Sequence, residues 1–271
     1  MTIADKLEET ANILTERLGQ VELLTLNRAK SRNSLSESVI DQLTAELVRV
    51  GNDKTVRVVV LASTGTAFCA GHDLKELELH RQDADGGRSF YERTFAKCST
   101  LMQTIVNLPQ PVIACVQGVA TAAGCQLVAS CDLAVAADNS KFATPGVDIG
   151  LFCSTPMVAL SRNVNSKHAM ELLLTGELIS AEHACRIGLV NRVVEAGKEL
   201  EISLALAETI AQKSGRALRT GKKAFYAQAQ LSLSEAYEYT GKIMVENLLD
   251  IDAREGICAF LEKRRPNWQN V

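Results

Sequence analysis

Three things are missing from this 271-residue chain: cysteines at C-x-x-C spacing, an apolar run long enough to cross a bilayer, and an excess of basic residues. The eight cysteines present are Cys69, Cys98, Cys115, Cys125, Cys131, Cys153, Cys185 and Cys258, and most sit in apolar runs such as Ile113–Val116. Without paired spacing, neither a zinc site nor a disulfide framework is expected, and no metal is called for. Reduced thiols packed in a core fit a reducing compartment. The missing apolar span argues against a membrane protein. A formal charge of -3 and a pI near 5.9 argue against general affinity for nucleic acid or anionic membranes, leaving only local basic groups to hold a small anion. The first twenty residues carry Asp5, Lys6, Glu8, Glu9, Glu16 and Arg17 in a helix-like pattern that matches neither a signal peptide nor an Arg-rich transit peptide. The cytoplasm is therefore the expected compartment.

What is present is an ordinary globular balance, 46% hydrophobic and 23% charged, in a chain long enough to bury a substantial core. Val21–Leu26, Val56–Leu61, Val112–Val116 and Leu133–Ala137 are short, β-branched or apolar runs that read as buried strands. Ser36 precedes a helical pattern in which Val39, Ile40, Leu43, Leu47 and Val50 share one face. A second helix is expected from about Phe90 to Ile105, stopped by Pro109 and Pro111. Between these lie a small-residue turn, Thr64–Asp73, and a polar stretch at Asp83–Arg88. Beyond Gly150 the pattern is mainly helical: Ser180 caps a short helix, and longer ones cover Leu200–Gln212, Ser234–Leu249 and Arg254–Lys263. Strand–helix alternation of this kind indicates an α/β architecture. Periodicity alone leaves a doubly wound sheet and a spiral of repeated units equally open. No Pro/Ser-rich linker divides the chain. Gly215–Gly221 is a candidate hinge between a core of residues 1–214 and a helical region of residues 215–271, the two forming one continuous unit.

Two segments place small residues where a strand gives way to a helix: Ala67–Lys75 and Val116–Gln126. Small residues let a ligand approach the backbone, and a helix N-terminus supplies free N–H groups and positive dipole. Two such amides aimed at one oxygen form an oxyanion hole. The competing explanation is that glycine and alanine merely allow close packing.

The stretches Asn27–Leu35, Phe68–Lys75 (Phe-x-Ala-Gly-x-Asp-Leu-Lys) and Pro111–Asp132 resemble the enoyl-CoA hydratase/isomerase (crotonase) family. The likeness continues in order through Phe142–Pro145, Leu174–Glu177, Gly188–Asn191 and Phe260–Arg264, so it spans essentially the whole chain. It implies a crotonase-type spiral of ββα repeats with a helical C-terminal trimerisation region, a homotrimer or hexamer, and an acyl-CoA ligand of which coenzyme A is part, with no separate cofactor. The thioester oxygen would lie between the backbone amides of His72 and Ala123. Coenzyme A would be held by backbone near Lys30, Ser31, Ala70, Gly71 and Leu74, with Lys75, Lys263 and Arg264 facing phosphates. Asp73 would hydrogen-bond the turn presenting the His72 amide rather than perform chemistry. The His72 imidazole has a positional or a direct role open to it.

The chain departs from the family at the acids. Hydratases pair two glutamates at positions that here read Gln126 and Gly146, and isomerases carry an acid where this chain has Ser154. Asp148 is the one nearby acid; strand alternation would point it away from its apolar neighbours, toward local backbone rather than the chemistry. Cys125 and Cys153 lie close by in sequence but without a partnering histidine, so acyl transfer to either has little support. Three functions stay open: an acyl-CoA enzyme with unconventional acid/base groups, a non-catalytic acyl-CoA binder, and a nucleic-acid-binding relative. No Arg/Lys stripe with interleaved aromatics supports the last.

Overall fold

The computed structural model describes residues 11–269. The chain opens with an antiparallel hairpin, β1 (Ile13–Leu18) and β2 (Val21–Leu26), in register from Ile13 opposite Leu26 to Leu18 opposite Val21. The helix-like reading of the first twenty residues therefore fails over 13–18. The chain reverses at Gly19, and pairing against a buried strand overrides local charge spacing. Residues 1–10 lie outside the described residues.

From β2 onward one unit repeats: a strand in a first sheet, a shorter strand in a second sheet, then a helix. The first turn is β2, the single residue Leu35 and α1 (Glu37–Asn52). The second is β3 (Val58–Ser63), β4 (Ala67–Cys69), α2 (Leu74–His80) and α3 (Arg88–Asn107). The third is β5 (Val112–Val116), β6 (Val119–Thr121) and α4 (Ala123–Ser130). The fourth is β7 (Leu133–Ala137), β8 (Lys141–Ala143), α5 (Ser154–Asn163) and α6 (Ser166–Thr175). Then β9 (Ile179–Ser180), α7 (Ala181–Arg186) and β10 (Arg192–Val194) close the layers. The sheets run β1-β2-β3-β5-β7-β10 and β4-β6-β8-β9. Because consecutive strands alternate between two sheets, the fold is a spiral of ββα turns and not a doubly wound sheet. The expected Thr64–Asp73 turn contains β4, at three residues too short to show a strand pattern.

The inner strands of the first sheet are buried on both faces, which is why they read as continuous apolar runs. Val58, Val59, Val60 and Leu61 are fully buried. Burial of each contributes about 1.5–3 kcal/mol against an extended chain, an upper bound. One face packs on α1 through Val39, Ile40, Leu43, Leu47 and Val50, with Ser36 accepting from the Val39 amide at 3.4 Å as N-cap. The other is covered by α8 (Glu199–Ala211) through Ala207 and Ala211. Between β5 and β6 the chain turns at Gly118 (φ 61°), where a Cβ would collide with the Thr66 carbonyl.

Three helices follow: α9 (Gly215–Gln228), α10 (Leu233–Leu248) and α11 (Ile251–Leu261). The expected hinge at Gly215–Gly221 is instead the first half of α9. Ser214 caps it, and Gly215 is needed because the Arg57 guanidinium fills the space of a side chain there. A buried polar knot ties α9 to the spiral. Lys222 Nζ donates to Asp132 Oδ2 (2.6 Å), Ile105 O (2.9 Å) and Gln110 O (3.0 Å), while Tyr226 donates to Asp132 Oδ1 (2.9 Å). Burial lowers the Lys222 pKa and the Asp132 carboxylate opposes that. Arg57, Gln110 and Asp132 precede β3, β5 and β7, so the C-terminal helices pack at the N-terminal ends of these strands. They present Leu233, Tyr237, Met244, Leu249 and Phe260 more than half exposed. No helix among the described residues is long and apolar enough to cross a membrane.

The tail after α11 is clamped by Glu255, which accepts from Arg264 (2.6 and 2.9 Å) and from the Asn267 amide (2.7 Å). Trp268 then donates to Gln212 O at 2.8 Å. The Arg264 guanidinium and the Asn267 amide push the Glu255 pKa down to about 2 from an ordinary 4.5. The folded pKa is depressed, so the clamp's contribution is complete above pH 4.5 and is lost as pH falls from about 4.5 to about 2. Emission of Trp268, the sole tryptophan, is expected to shift red across that window. Glu255→Gln should give the low-pH spectrum already at pH 7; an unchanged spectrum would mean the clamp does not hold the tail.

Candidate active site

Two chain segments meet where the second and third turns of the spiral pass from strand to helix. β4 pairs in parallel with β6, Ala67 opposite Val119 and Cys69 opposite Ala120, which carries Ala70–His72 alongside Thr121–Ala123. Thr121 Oγ1 donates to Ala70 O at 3.2 Å. A Cβ on Gly71 (φ 95°) would stand 2.9 Å from the Ala122 methyl and 3.3 Å from the Ala123 nitrogen. Only glycine permits that approach.

The amides at this contact are arranged by their neighbours. His72 forms a parallel bridge with Leu35, made by Leu35 N to Gly71 O (2.8 Å) and Asp73 N to Leu35 O (3.2 Å). In a parallel pair the flanking residues make both bonds, so the N–H of His72 itself faces away from Leu35. Ala123 is the first residue of α4, and its N–H has no intrahelical partner. Ala122 aims it, holding φ 50° and ψ -119° while its own N–H donates to Ala143 O at 3.0 Å. That conformation is one that residues other than glycine adopt only when held in place. Packing of α4 on β4 is equally close, since a Cβ on Gly124 would collide with the Cys69 carbonyl. Neither N–H has a protein acceptor among the described residues, and Gly71, the residue before His72, lies close against the Ala123 nitrogen.

The Asn27–Leu35 segment frames this contact. Asn33 Nδ2 donates to Thr64 O and Ala67 O, both at 2.8 Å, and its Oδ1 accepts from the Arg28 amide at 2.8 Å. Asp73 caps α2 by accepting from Lys75 N (3.2 Å) and Glu76 N (3.5 Å), and its other oxygen meets Ser34 Oγ and Arg28. It thereby ties the start of α2, one residue after His72, to the Asn27–Leu35 segment. Lys30 and Ser31 lie in an exposed 3-10 turn, and the Ala70 amide bonds Arg32 O at 3.0 Å. Lys30, Ser31, Ala70, Gly71, Leu74 and Lys75 therefore gather on one edge. Lys263 and Arg264 do not join them within one chain. They follow α11 at the opposite ends of the strands, and Arg264 is bound to Glu255 and Glu262.

The remaining side chains singled out by the sequence are placed as follows. Gln126, on α4, is buried, and its Oε1 has no hydrogen-bond partner. His72 packs edge-on against Phe95 with ring centroids 5.0 Å apart, and neither ring nitrogen is within hydrogen-bonding geometry of a partner. Burial lowers the His72 pKa, the Leu35 main chain opposing in part, so the imidazole is neutral at pH 7. Gly146 lies in a 3-10 turn, Pro145–Ile149, where a Cβ would meet Leu151 O at 2.7 Å and Cys153 Sγ at 2.9 Å. The Cys153 thiol occupies the space a side chain would enter, and no acid can be placed at 146 without moving that turn. Asp148 belongs to the same turn rather than a strand, and it is exposed, so the alternation argument for it does not hold. Ser154 is an exposed first residue of α5, its hydroxyl donating to Phe152 O at 3.3 Å. Burial pushes the Cys125 thiol up to about 12 and raises that of Cys153, so neither is a ready nucleophile at neutral pH.

Sequence alone gives no part to Asn33, Ala122 or Cys153. The signal at Asn33 is the residue type: asparagine tolerates its φ of 52°, and its amide can bridge two carbonyls while accepting from an N–H. Ala122 and Cys153 carry no comparable mark.

A two-sheet ββα spiral of this kind defines a crotonase-type protein. The chain belongs to the enoyl-CoA hydratase/isomerase family, whose model matches residues 16–271. It is 44% identical to the mitochondrial enoyl-CoA hydratase domain-containing protein 3 of Xenopus laevis, over 97% of this chain and 87% of that protein, and 44% identical to that of Homo sapiens, over 94% and 82%. Crystal structures of an enoyl-CoA hydratase from Mycobacterium smegmatis (TM-score 0.91, 48% identity, 95% of this chain and 99% of that one) and of human enoyl-CoA hydratase domain-containing protein 3 (TM-score 0.90, 44%, 95% and 100%) share the fold. The relatives at 44% identity are named mitochondrial, which overturns the expectation of a cytoplasmic protein. Mixed charge in an opening segment is not a compartment signal.

The strain at Ala122 and the space at Gly71 make opposite predictions. Ala122→Gly is expected to raise the urea midpoint by about 1 kcal/mol in stability at unchanged m-value, because glycine relieves the left-handed conformation. Gly71→Ala should lower it by about 2 kcal/mol or more, through strain and collision together. Equal, small effects at both positions would show that this contact is not the close one described.

Proposed function

We propose that the chain binds an acyl-CoA thioester, of fatty-acid metabolism, and polarises its carbonyl with the backbone amides of His72 and Ala123. The observation that supports this reading is the close approach of Gly71, the residue before His72, to the Ala123 nitrogen at the start of α4. Lys30, Ser31 and Lys75, on the adjoining edge, would face the coenzyme A portion. Lys263 and Arg264 would serve only from a second copy, in a trimer or hexamer built on the exposed apolar face of α9–α11.

Turnover is a separate matter. A positioned acid or base contributes roughly 10²–10⁴ in rate and an oxyanion donor roughly 10²–10³. Gln126, Gly146 and Ser154 lack the proton chemistry, whereas the amides are untouched. The site therefore supports binding and polarisation of a thioester more strongly than hydration. A second reading, a non-catalytic acyl-CoA binder, is favoured by the blocked position 146.

Two measurements separate these. In calorimetry, butyryl-CoA is expected to bind more tightly than butyrate by about tenfold or more; equal affinity would remove the amide pair from the account. Hydration of crotonyl-CoA is expected to run at least about 10⁴-fold below an efficient hydratase, which turns over at roughly 10–10³ per second. A rate in that upper range would mean that an acid/base pair other than these positions operates.

A further inference from the structure

A buried charge in a folded protein is paired, and one that is not calls for an explanation. One such charge lies at the base of the first sheet, away from the candidate active site. Arg57, immediately before β3, is 4% exposed. Its guanidinium makes one hydrogen bond among the described residues, from Nη2 to Lys213 O, and its Nε is buried with no acceptor. No ion pair joins it to a carboxylate among those residues.

Its surroundings add positive charge. The guanidinium rests on Gly215, where a Cβ would collide with Nη1, so it sits at the start of α9, the positive end of that helix's dipole. Residues 215, 219, 222 and 226 fall on one face of α9. Gly215 meets Arg57, while Lys222 and Tyr226 meet Asp132, so Arg219 between them faces the same base. Arg219 is half-buried and has no hydrogen bond or ion pair among the described residues. Burial, and after it the Arg219 charge, lower the Arg57 pKa, with Asp252 opposing. A guanidinium stays protonated all the same.

The carboxylates at this end of the fold are engaged elsewhere. Asp132 accepts from Lys222, Tyr226 and the Val112 amide. Asp252 accepts from Ser214 Oγ (2.6 Å) and the Gln269 amide (2.7 Å), and Asp250 pairs with Arg216. Two guanidiniums and a helix start thus converge with no paired counter-charge among the described residues. We propose that this seam between the spiral and α9 is a binding site for a phosphate-class oxyanion, held between Arg57 and Arg219. A guanidinium matches such an ion because its planar fork donates two parallel N–H bonds to two oxygens, and a helix start favours the same charge. The half-exposed Arg219 gives the way in. Bound there, the ion would fasten α9 to the start of β3 as Lys222 fastens it to the start of β7. The site stands apart from the acyl-thioester reading, since it lies at the opposite ends of the strands.

The test is thermal unfolding of the full-length protein in sodium phosphate and in sodium chloride at equal ionic strength, which holds general screening constant. Phosphate also stabilises proteins by exclusion from their surfaces, so its effect is compared across variants. Wild type is expected to gain about 2–4 °C more from phosphate than Arg219→Gln does. Arg219→Lys, which keeps the charge and loses the fork, should gain less than wild type. Lys167→Gln, which removes an exposed cation on α6, should gain as much as wild type. The phosphorus NMR line of inorganic phosphate should broaden with wild type and broaden less with Arg219→Gln. Equal gains, or equal broadening, in wild type and Arg219→Gln would overturn the proposal. A loss of the gain in Lys167→Gln would overturn it too, by showing a general attraction to positive charge.

Discussion

The approach of Gly71 to Ala122 and Ala123 is the constraint on which the site depends. It joins two turns of the spiral at a separation that excludes a single methyl group. Everything that makes it possible lies elsewhere: β4 and β6 in parallel register, Gly124 against the Cys69 carbonyl, and Asn33 bridging the carbonyls of Thr64 and Ala67. Backbone groups are held by pairing and packing rather than by rotamers. The two amides are therefore placed with less freedom than any side-chain donors would have.

Around that fixed backbone, His72, Cys125, Cys153 and Gln126 are neutral at pH 7. His72 is uncharged because burial disfavours its cation, the thiols of Cys125 and Cys153 hold their protons for the same reason, and Gln126 has no proton to exchange. Enzymes that move protons place groups whose pKa values are pushed toward the working pH. Here burial pushes His72 and both thiols away from it. Polarisation of a carbonyl and proton transfer are separable in physical terms, since the first needs only placed donors and the second a group that titrates.

How much of this was legible in sequence depends on where the information resides. The α1 stripe Val39, Ile40, Leu43, Leu47 and Val50 is read directly, because helical period and burial coincide. The sheet strands Val21–Leu26 and Val112–Val116 are equally plain, since burial on both faces leaves a continuous apolar run. The three-residue strands β4 and β8 are not, because they are too short for any period and exist through their neighbours. Gly215 reads as a breaker, yet it is a helix residue selected by the Arg57 side chain lying on it. At the site, His72, Ala123 and Asp73 are singled out by the family resemblance and by no local pattern of their own. The crowding at Gly146 does not, being a contact between residues seven apart that only the fold brings together, and the same holds for Lys263 and Arg264 at the far ends of the strands.

The knot around Asp132 has a consequence for the order of events during synthesis. Asp132 also accepts from the Val112 amide at 2.7 Å, so its carboxylate is fixed at the start of β7 once β5 and β7 associate. Its cationic partner, Lys222, is ninety residues further along. A nascent chain that has completed the spiral thus holds a partly desolvated carboxylate, with the Ile105 and Gln110 carbonyls beside it, until α9 emerges. The last helices are in this sense the closing element of the core, and a ribosome-bound chain ending before residue 222 is expected to remain loosely joined at the base of its own sheet.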